Sequence, residues 1–434
     1  MRVPAALARA RAHLPQPIEK VLRALDAEGH RSWIVGGAVR DLLLGRPRGD
    51  TDIDVATPAT PEQVTALFRK VIPTGIEHGT VTVVLGGEAV EVTTFRGEGA
   101  YVDGRRPESV TFLTDLEADL ARRDFTMNAL AWDPLAPEFR DPYGGRADMA
   151  RRLVRAVGDP AARFGEDGLR PMRAVRFAAQ LGYGLHPRTR AAIPGALDVV
   201  RKVSVERISD ELSRLVVAPH ADRALRLMRA TGLLDVVLPA LAAGAPAALD
   251  HAIAVLRRVP DEPALRFAAL LHGLGPDETE RILVGLRQPR RVSDEAAALV
   301  RAHACRASAP EPLPASPADV RRWLARVGLA RSDAQLALAR AEAAAAGARS
   351  AVAEVERLAD AVAKAKAAAP PLSAQDLALD GRAVMAILGA GPGPHVGEAL
   401  RHLLERVLED PSLNAPAPLE AEVRAWWLAR NRPL

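Results

Sequence analysis

GGAVRDLLLGRPRGDTDIDVAT, residues 36–57, decides how the rest of this chain is read. It predicts a glycine turn, a short amphipathic helix stopped by Gly45 and Pro47, a basic loop, and a strand carrying Asp52 and Asp54. Side chains two apart on a strand share a face, so both carboxylates lie together, with Asp50 as a flanking acid. Gly36-Gly37 lets backbone N–H groups approach a phosphate and opens a helix N-terminus, which favours anions. Arg40 is suited either to a triphosphate or to an ion pair with Asp41. Two carboxylates opposite a phosphate cradle point to metal-dependent nucleotidyl transfer, in which two ions about 3.5–4 Å apart activate a hydroxyl and neutralise a departing pyrophosphate. Mg²⁺ suits such a site, because it takes one or two carboxylates plus phosphate oxygens and keeps several waters.

Outward from that stretch, Ser32–Val35 reads as a short buried strand entering the glycine turn, and Thr60-Pro61-Glu62 starts a helix with proline in its first turn. Gly79–Val84 and Glu88–Phe95 alternate around Gly86-Gly87 as a hairpin, which offers Glu91 as a third carboxylate beside Asp52 and Asp54. Arg96–Pro107 is polar and glycine-rich and reads as a mobile loop carrying Tyr101, Asp103, Arg105 and Arg106. Residues 114–132 read as one helix with a Thr114/Glu117 capping box. That helix would place Asp124 and Asn128 on one side for a ribose, with Arg122 or Arg123 on a phosphate.

Past residue 150 the alternation vanishes and helical periodicity takes over, with one helix read over 159–184 and another over 332–367. Within 159–184, Asp167 and Arg170 are three apart, so on a helix starting near Asp167 they would converge as an acceptor and a donor fork able to pair with a base edge. Gly168 and Pro171 make the start of that helix the critical point. Arg173 and Arg176 continue the basic side, toward RNA phosphates or water.

Composition sets the bounds. The 434 residues suffice for two or more domains. Lys+Arg, at 58, barely exceed Asp+Glu, at 54, so nucleic-acid binding depends on where the charges sit. Cys305 is the only cysteine, which excludes an intramolecular disulfide or a thiolate cage. No signal peptide or membrane-length apolar run is read, so a cytoplasmic location is expected; the sequence leaves the oligomeric state open.

The motifs GGAVRDLLLG, DIDVAT, IEHGTVTV, EVTTFR, YVDGRRPESVTF, DLARRDFTMNALAWDP and RFGEDGLRPMRAVRFAAQLGY fall in order over residues 33–183. Together they resemble the class II tRNA nucleotidyltransferase and bacterial poly(A) polymerase family, of the polymerase-beta nucleotidyltransferase superfamily. GRAVMAILGAGPGPHVGEALRHLLERVLEDPSLN, residues 381–414, is similar to that family's tail.

The resemblance implies an α+β fold: a nucleotidyltransferase head with a small mixed sheet over residues 1–150, then an all-helical neck (151–218), body (219–330) and tail (331–434). It implies that Asp52 and Asp54 hold catalytic Mg²⁺ with Glu91 in support, and that Gly36, Gly37 and Arg40 hold the triphosphate. Arg123, Asp124 and Asn128 would grip the nucleotide. Asp167 and Arg170 would pair with the CTP or ATP base with Glu166 bracing Arg170, and Arg173 and Arg176 would lie alongside. The implied activity is addition of C, C and A to a tRNA 3′ end without a template, with the tail on the acceptor end and TΨC arm. A-only or CC-only addition, poly(A) synthesis and an inactive RNA-binding protein are the alternatives. LRFAALLHGLG resembles a His-Asp phosphohydrolase motif with Gly273 in place of the Asp, so that activity is not expected.

Overall fold

The computed structural model describes residues 2–46, 53–97, 111–112, 114–308 and 313–430, and the chain divides into two compact units, Met1–Ala243 and Gly244–Leu434. In the first unit, seven strands form one mixed sheet: β1 Trp33–Val35, β2 Asp54–Thr57, β3 Val71–Gly75, β4 Thr80–Leu85, β5 Glu88–Thr94, β6 Ala131–Asp133 and β7 Glu138–Arg140. Their order is β3-β4-β5-β2-β1-β6-β7. The one parallel pairing joins β2 to β5; the others are antiparallel.

Local chemistry accounts for this order. Trp33, Ile34 and Val35 are all buried, as a central strand covered on both faces requires. Leu85 pairs with Glu88, and Gly86 and Gly87 between them both have positive φ, which a two-residue hairpin loop of matching twist demands. Thr60 makes a full capping box with Gln63 at the start of the helix Pro61–Leu67. Arg96–Gly97 pairs with Thr111–Phe112. The intervening Tyr101, Asp103, Arg105 and Arg106 lie outside the described residues.

The single helix expected over 114–132 does not form. The helix α2 covers Leu116–Ala121 and is capped by Asp115, whose side chain accepts from Glu117 N–H; Thr114 takes no part. A 3₁₀ turn follows at Thr126–Asn128, and then β6. The reason lies in burial: Trp132 and Phe139 fill the sheet's interior from β6 and β7, so tertiary packing overrides the helical spacing of the apolar residues.

The expected helix 159–184 is two helices, α3 Pro160–Glu166 and α4 Arg170–Leu181. Gly168 forces the break. A Cβ there would lie 2.4 Å from the Val199 carbonyl oxygen, so only glycine lets these backbones meet. Pro171 then falls in the first turn of α4, where its missing N–H costs nothing. The helix α4 packs on α5 Val205–Val216 and α6 Ala221–Ala230.

The second unit is helical in its described residues. Its elements include α7 Pro246–Leu256, α8 Pro263–Leu271, α9 Arg290–Ser308, α10 Pro317–Val327, α11 Ser332–Ala345, α12 Arg349–Ala367, α13 Gly381–Leu388, α14 Pro394–Glu409 and α15 Pro416–Arg430. The helix expected over 332–367 breaks at Gly347, whose φ of 70° lets α12 turn back onto α11. Trp323 is buried in the core between α10, α11 and α12, a packing role rather than a stacking platform. Among the described residues no helix is long and apolar enough to cross a membrane.

Candidate active site

The glycine turn, β2 and the end of α2 meet at one point. Gly36 has φ 73° and donates its N–H to the Leu130 carbonyl. A Cβ at Gly36 would lie 2.8 Å from Arg123 Nη1 and 3.8 Å from Asp54 Oδ2. Glycine is thus required for conformation and for space, and three expected site residues are in mutual reach. The helix α1, Gly37–Leu43, leads away from the turn.

Asp54 opens β2 and is in register with Glu91 on the parallel strand β5, which in turn pairs with Thr82 on β4. Registered neighbours project to the same face, so the two carboxylates stand side by side. Asp54 is half-buried and Glu91 exposed, leaving the site open to a large charged substrate. Asp52 and Asp50 lie outside the described residues.

Adjacent hard oxygen donors on an open face fit a Mg²⁺-class ion, which needs few protein ligands. Arg123 supplies the complementary feature. Its Nε is buried without a hydrogen-bond partner, a deficit that an anionic ligand can remove.

Arg123 is aimed by Asp119, a residue sequence reasoning missed. Asp119 is fully buried and accepts from Arg122 Nη2 at 2.6 Å and from Arg123 Nη2 at 3.3 Å. The i,i+3 and i,i+4 spacing of Asp119 from Arg122 and Arg123, which directly follow α2, was the available signal.

A second network lies alongside. Asn128 Nδ2 donates to Asp124 Oδ1 at 3.0 Å, and Asn128 Oδ1 accepts from Arg40 Nη1 at 2.7 Å. The two residues meet although they do not share a helix. Arg40 also donates twice to Asp41, each bond 2.9 Å, and sits 5.0 Å from the Phe177 ring centroid. The ion pair with Asp41 is formed, and Arg40 Nη2 also lies 3.5 Å from where a Cβ at Gly37 would stand, beside the turn expected to take a phosphate. Asp124 Oδ2 accepts from Arg173 Nε at 2.8 Å. The expected outward basic side fails at Arg176, which is 5% exposed and bonded to Glu211 and Gln180. Glu211, also buried and unpredicted, neutralises this otherwise repulsive pair of arginines.

Burial pushes the Asp119 and Asp124 carboxyls up, but arginines more than offset it: Arg123 and Arg122 at Asp119, Arg173 with Asn128 at Asp124. Both therefore titrate below the ordinary carboxylate range. A carboxylate depressed in the folded state contributes its full stability above the unfolded pKa, about 3.9, and loses it as pH falls through the folded value. The stability gap between wild type and Asp119→Asn is accordingly expected to be constant from pH 7 to 5 and to shrink from pH 4 toward 3. Urea midpoints measured across that range check this, and a gap independent of pH would remove the pairing argument.

The expected base-reading pair is arranged differently from prediction. Arg170 is the first residue of α4; Asp167 lies before the helix, and its carbonyl accepts from Arg170 N–H at 3.0 Å, so the two are joined by the turn that enters α4 rather than by a helix that starts at Asp167. Arg170 is 8% exposed. It donates to Glu166, to the Arg163 carbonyl at 2.7 Å and to the Arg122 carbonyl at 2.9 Å. Asp167 Oδ1 caps the next turn by accepting from Leu169 N–H, and its Oδ2 accepts from Arg207 Nη2 at 2.9 Å. Arg207, on α5, was not singled out from the sequence. The contact between Glu166 and Arg170 is as the resemblance implied.

A family model described as "Poly A polymerase head domain" matches residues 32–155, and one described as "Probable RNA and SrmB- binding site of polymerase A" matches residues 182–244. The chain is 41% identical over 413 residues to the CCA-adding enzyme of Geobacillus stearothermophilus, covering 95% of this chain and 96% of that one. It is equally 41% identical over 413 residues to the CCA-adding enzyme of Geobacillus thermodenitrificans. The crystal structure of the Bacillus stearothermophilus CCA-adding enzyme in complex with CTP aligns with a TM-score of 0.79 at 37% identity, covering 96% of this chain and 98% of that one. With identity sustained across head, neck and helical remainder, the chain belongs to the class II tRNA nucleotidyltransferase and bacterial poly(A) polymerase family.

Proposed function

We propose that this chain completes tRNA 3′ ends by adding C, C and A from CTP and ATP, with the head described above as its catalytic centre. The observation that carries the reading is the in-register Asp54–Glu91 pair facing Arg123 across the Gly36 turn. The full-length likeness to CCA-adding enzymes supplies the substrate class. The chain is a nucleotidyltransferase: the tRNA 3′-hydroxyl attacks the α-phosphate of CTP or ATP, and pyrophosphate leaves.

Metal dependence is general in this family, and we assign the ion as Mg²⁺, held by Asp52 and Asp54 with Glu91 beside them. Bound there, it would supply electrostatic stabilisation of the pentavalent phosphate and its leaving group. The chain's own contribution is positioning. The Gly36-Gly37 turn admits the triphosphate, and Arg123, held by Asp119, meets a phosphate oxygen. Asp124 and Asn128 form the wall for the ribose, kept rigid by Arg173 and Arg40. Asp167 and Arg170 present a fixed acceptor and a fixed donor fork to the base, one anchored by Arg207 and the other by Glu166.

The head at 1–150, neck at 151–218, body at 219–330 and tail at 331–434 are the functional divisions we assign within the two compact units. The tail would take the acceptor end and TΨC arm by shape and phosphate contacts. We place the reaction in the cytoplasm.

The test is incubation with Mg²⁺, single nucleotides and three primers: tRNA ending before CCA, tRNA ending in CC, and oligo(A). Stepwise addition of C, C and A to the first primer is expected. Extension of only the CC-ended tRNA, and only by A, would reassign the chain to A-addition, and preference for oligo(A) would make it a poly(A) polymerase.

A further inference from the structure

The second unit contains a polar cluster that nucleotidyl transfer does not use. His251 on α7, His272 directly after α8 and Glu342 on α11 each offer one ligand atom, and those three atoms lie within 4.8 Å of one another. His303 on α9 approaches the same carboxylate, its Nε2 2.7 Å from Glu342 Oε2. The three imidazoles form a chain of edge-to-face contacts, with centroids 5.6 Å apart for His251–His272 and 5.4 Å for His272–His303.

Two details distinguish this cluster from ordinary core packing. His272 Nδ1 lies 2.9 Å from the Ala269 carbonyl oxygen, so Nδ1 carries the proton and Nε2 keeps a free lone pair. Fixing the tautomer through a backbone carbonyl is how proteins prepare an imidazole for a metal. His303 is only 2% exposed, yet neither of its ring nitrogens makes a well-formed hydrogen bond, the contact to Glu342 being close but poorly directed. A buried, unsatisfied imidazole is costly, and a ligand at the cluster would repay that cost.

The donor set names the ligand class. Imidazole nitrogens with one carboxylate suit Zn²⁺ and its neighbours in the first transition row, whereas Mg²⁺ and Ca²⁺ prefer oxygen alone. We propose that His251, His272 and Glu342 bind one divalent transition-metal ion of the Zn²⁺ class, with His303 closing the fourth position. Ligands about 2.0–2.2 Å from such an ion stand roughly 3.3–3.6 Å apart in a tetrahedron, so His251, His272 and Glu342 close on it with small side-chain shifts, while His303, which reaches the group through Glu342, swings further to join them. The half-buried His251, His272 and Glu342 leave the ion a way in. With four protein ligands the site is structural: it ties α7, α8, α9 and α11 together by a clasp absent from the unfolded chain. No nucleophilic water is implied, and Gly273, beside His272, leaves no carboxylate there to recruit one.

The experiment uses full-length protein stripped with a chelator and returned to saturating Mg²⁺, which occupies the all-oxygen site of the head. Zn²⁺ or Co²⁺ is then added, and the protein is gel-filtered in Mg²⁺. One retained equivalent is expected, with the intense visible absorption of nitrogen-ligated tetrahedral Co²⁺ and a higher thermal midpoint, because the ion binds only the folded state. His251→Ala and His272→Gln should each weaken retention more than about 100-fold, since loss of an outer-shell partner alone costs 10–100-fold. Asp54→Ala should retain the ion in full. Circular dichroism shows whether the variants fold, and the wild-type stoichiometry decides independently of them. No retained equivalent in the wild type would overturn the proposal, as would equal retention in wild type and folded His251→Ala.

Discussion

Asp54→Ala is expected to lose nucleotide addition by at least about 1,000-fold in kcat, roughly 4 kcal/mol of transition-state stabilisation, while the protein stays folded. The two halves of this expectation have separate causes. Asp54 pairs with Val35 and Glu91 through its backbone, which alanine preserves, and its half-buried side chain lies at the opening of β2 rather than in the apolar core. The carboxylate itself faces Glu91 and the Arg123 guanidinium, where a polyanionic substrate must have its charge met.

Removing the carboxylate leaves Arg123 and Glu91 in place, so nucleotide should still bind while the reacting phosphate loses the cation that Asp54 would help to hold. A gel-resolved single-turnover assay with tRNA ending before CCA measures the loss, and a thermal melt checks the fold. Turnover within tenfold of wild type would take the catalytic role away from Asp54. A large fall in melting temperature would mean the residue is structural first.

The sequence made the head legible because its chemistry is written in short local patterns. A glycine pair before a helix, a hairpin around Gly86-Gly87 and alternating carboxylates each have a mechanism that works within a few residues. What stayed hidden depended on distant partners. Helical spacing across 114–132 could not reveal that Trp132 and Phe139 would be claimed by adjacent strands. Gly168 stands out in the sequence, but only the approach of the Val199 carbonyl explains why glycine is required there.

The arginines show the same limit. Arg40, Arg173 and Arg176 were legible as charges near a phosphate site, whereas their actual partners, Asn128, Asp124 and Glu211, lie 35 to 88 residues away in sequence. Buried ion networks of this kind aim and stiffen the neighbouring side chains, and a pattern of charges along the chain does not distinguish a buried partner from a solvated one.

Arg170 turns that lesson into a second large effect. Read from sequence alone, Arg170→Ala should chiefly blur the choice between C and A. The structure adds a stability cost, because the guanidinium is buried and joins Glu166 to the carbonyls of Arg163 and Arg122, the last of these across 48 residues. Alanine would leave the Arg163 and Arg122 carbonyls short of a donor and Glu166 with Arg163 Nη1, at 2.8 Å, as its remaining partner, at a cost of about 2–5 kcal/mol. At roughly 2–4 °C per kcal/mol for a unit of this size, the melting temperature should fall by about 4–20 °C. Arg170→Lys should recover the charge but not the fork, and so only part of the loss.

Asp167 provides the complementary probe. Its side chain is 22% exposed and its partner Arg207 is 38% exposed, so Asp167→Ala frees a cation that water can accept, and loss of the pair should change stability by no more than about 1 kcal/mol. Loss of the Leu169 cap adds a further cost of about 0.5–2 kcal/mol. If Asp167 reads the base, this variant should still fold, melting only a few degrees below wild type, yet misincorporate freely when CTP and ATP compete for a tRNA lacking CCA. Arg170→Ala, assayed well below its melting temperature, should show the same blurring. Wild-type selectivity in folded Asp167→Ala would move base choice elsewhere in the pocket, and a wild-type melting temperature in Arg170→Ala would show that the buried fork is not what joins the start of α4 to the head.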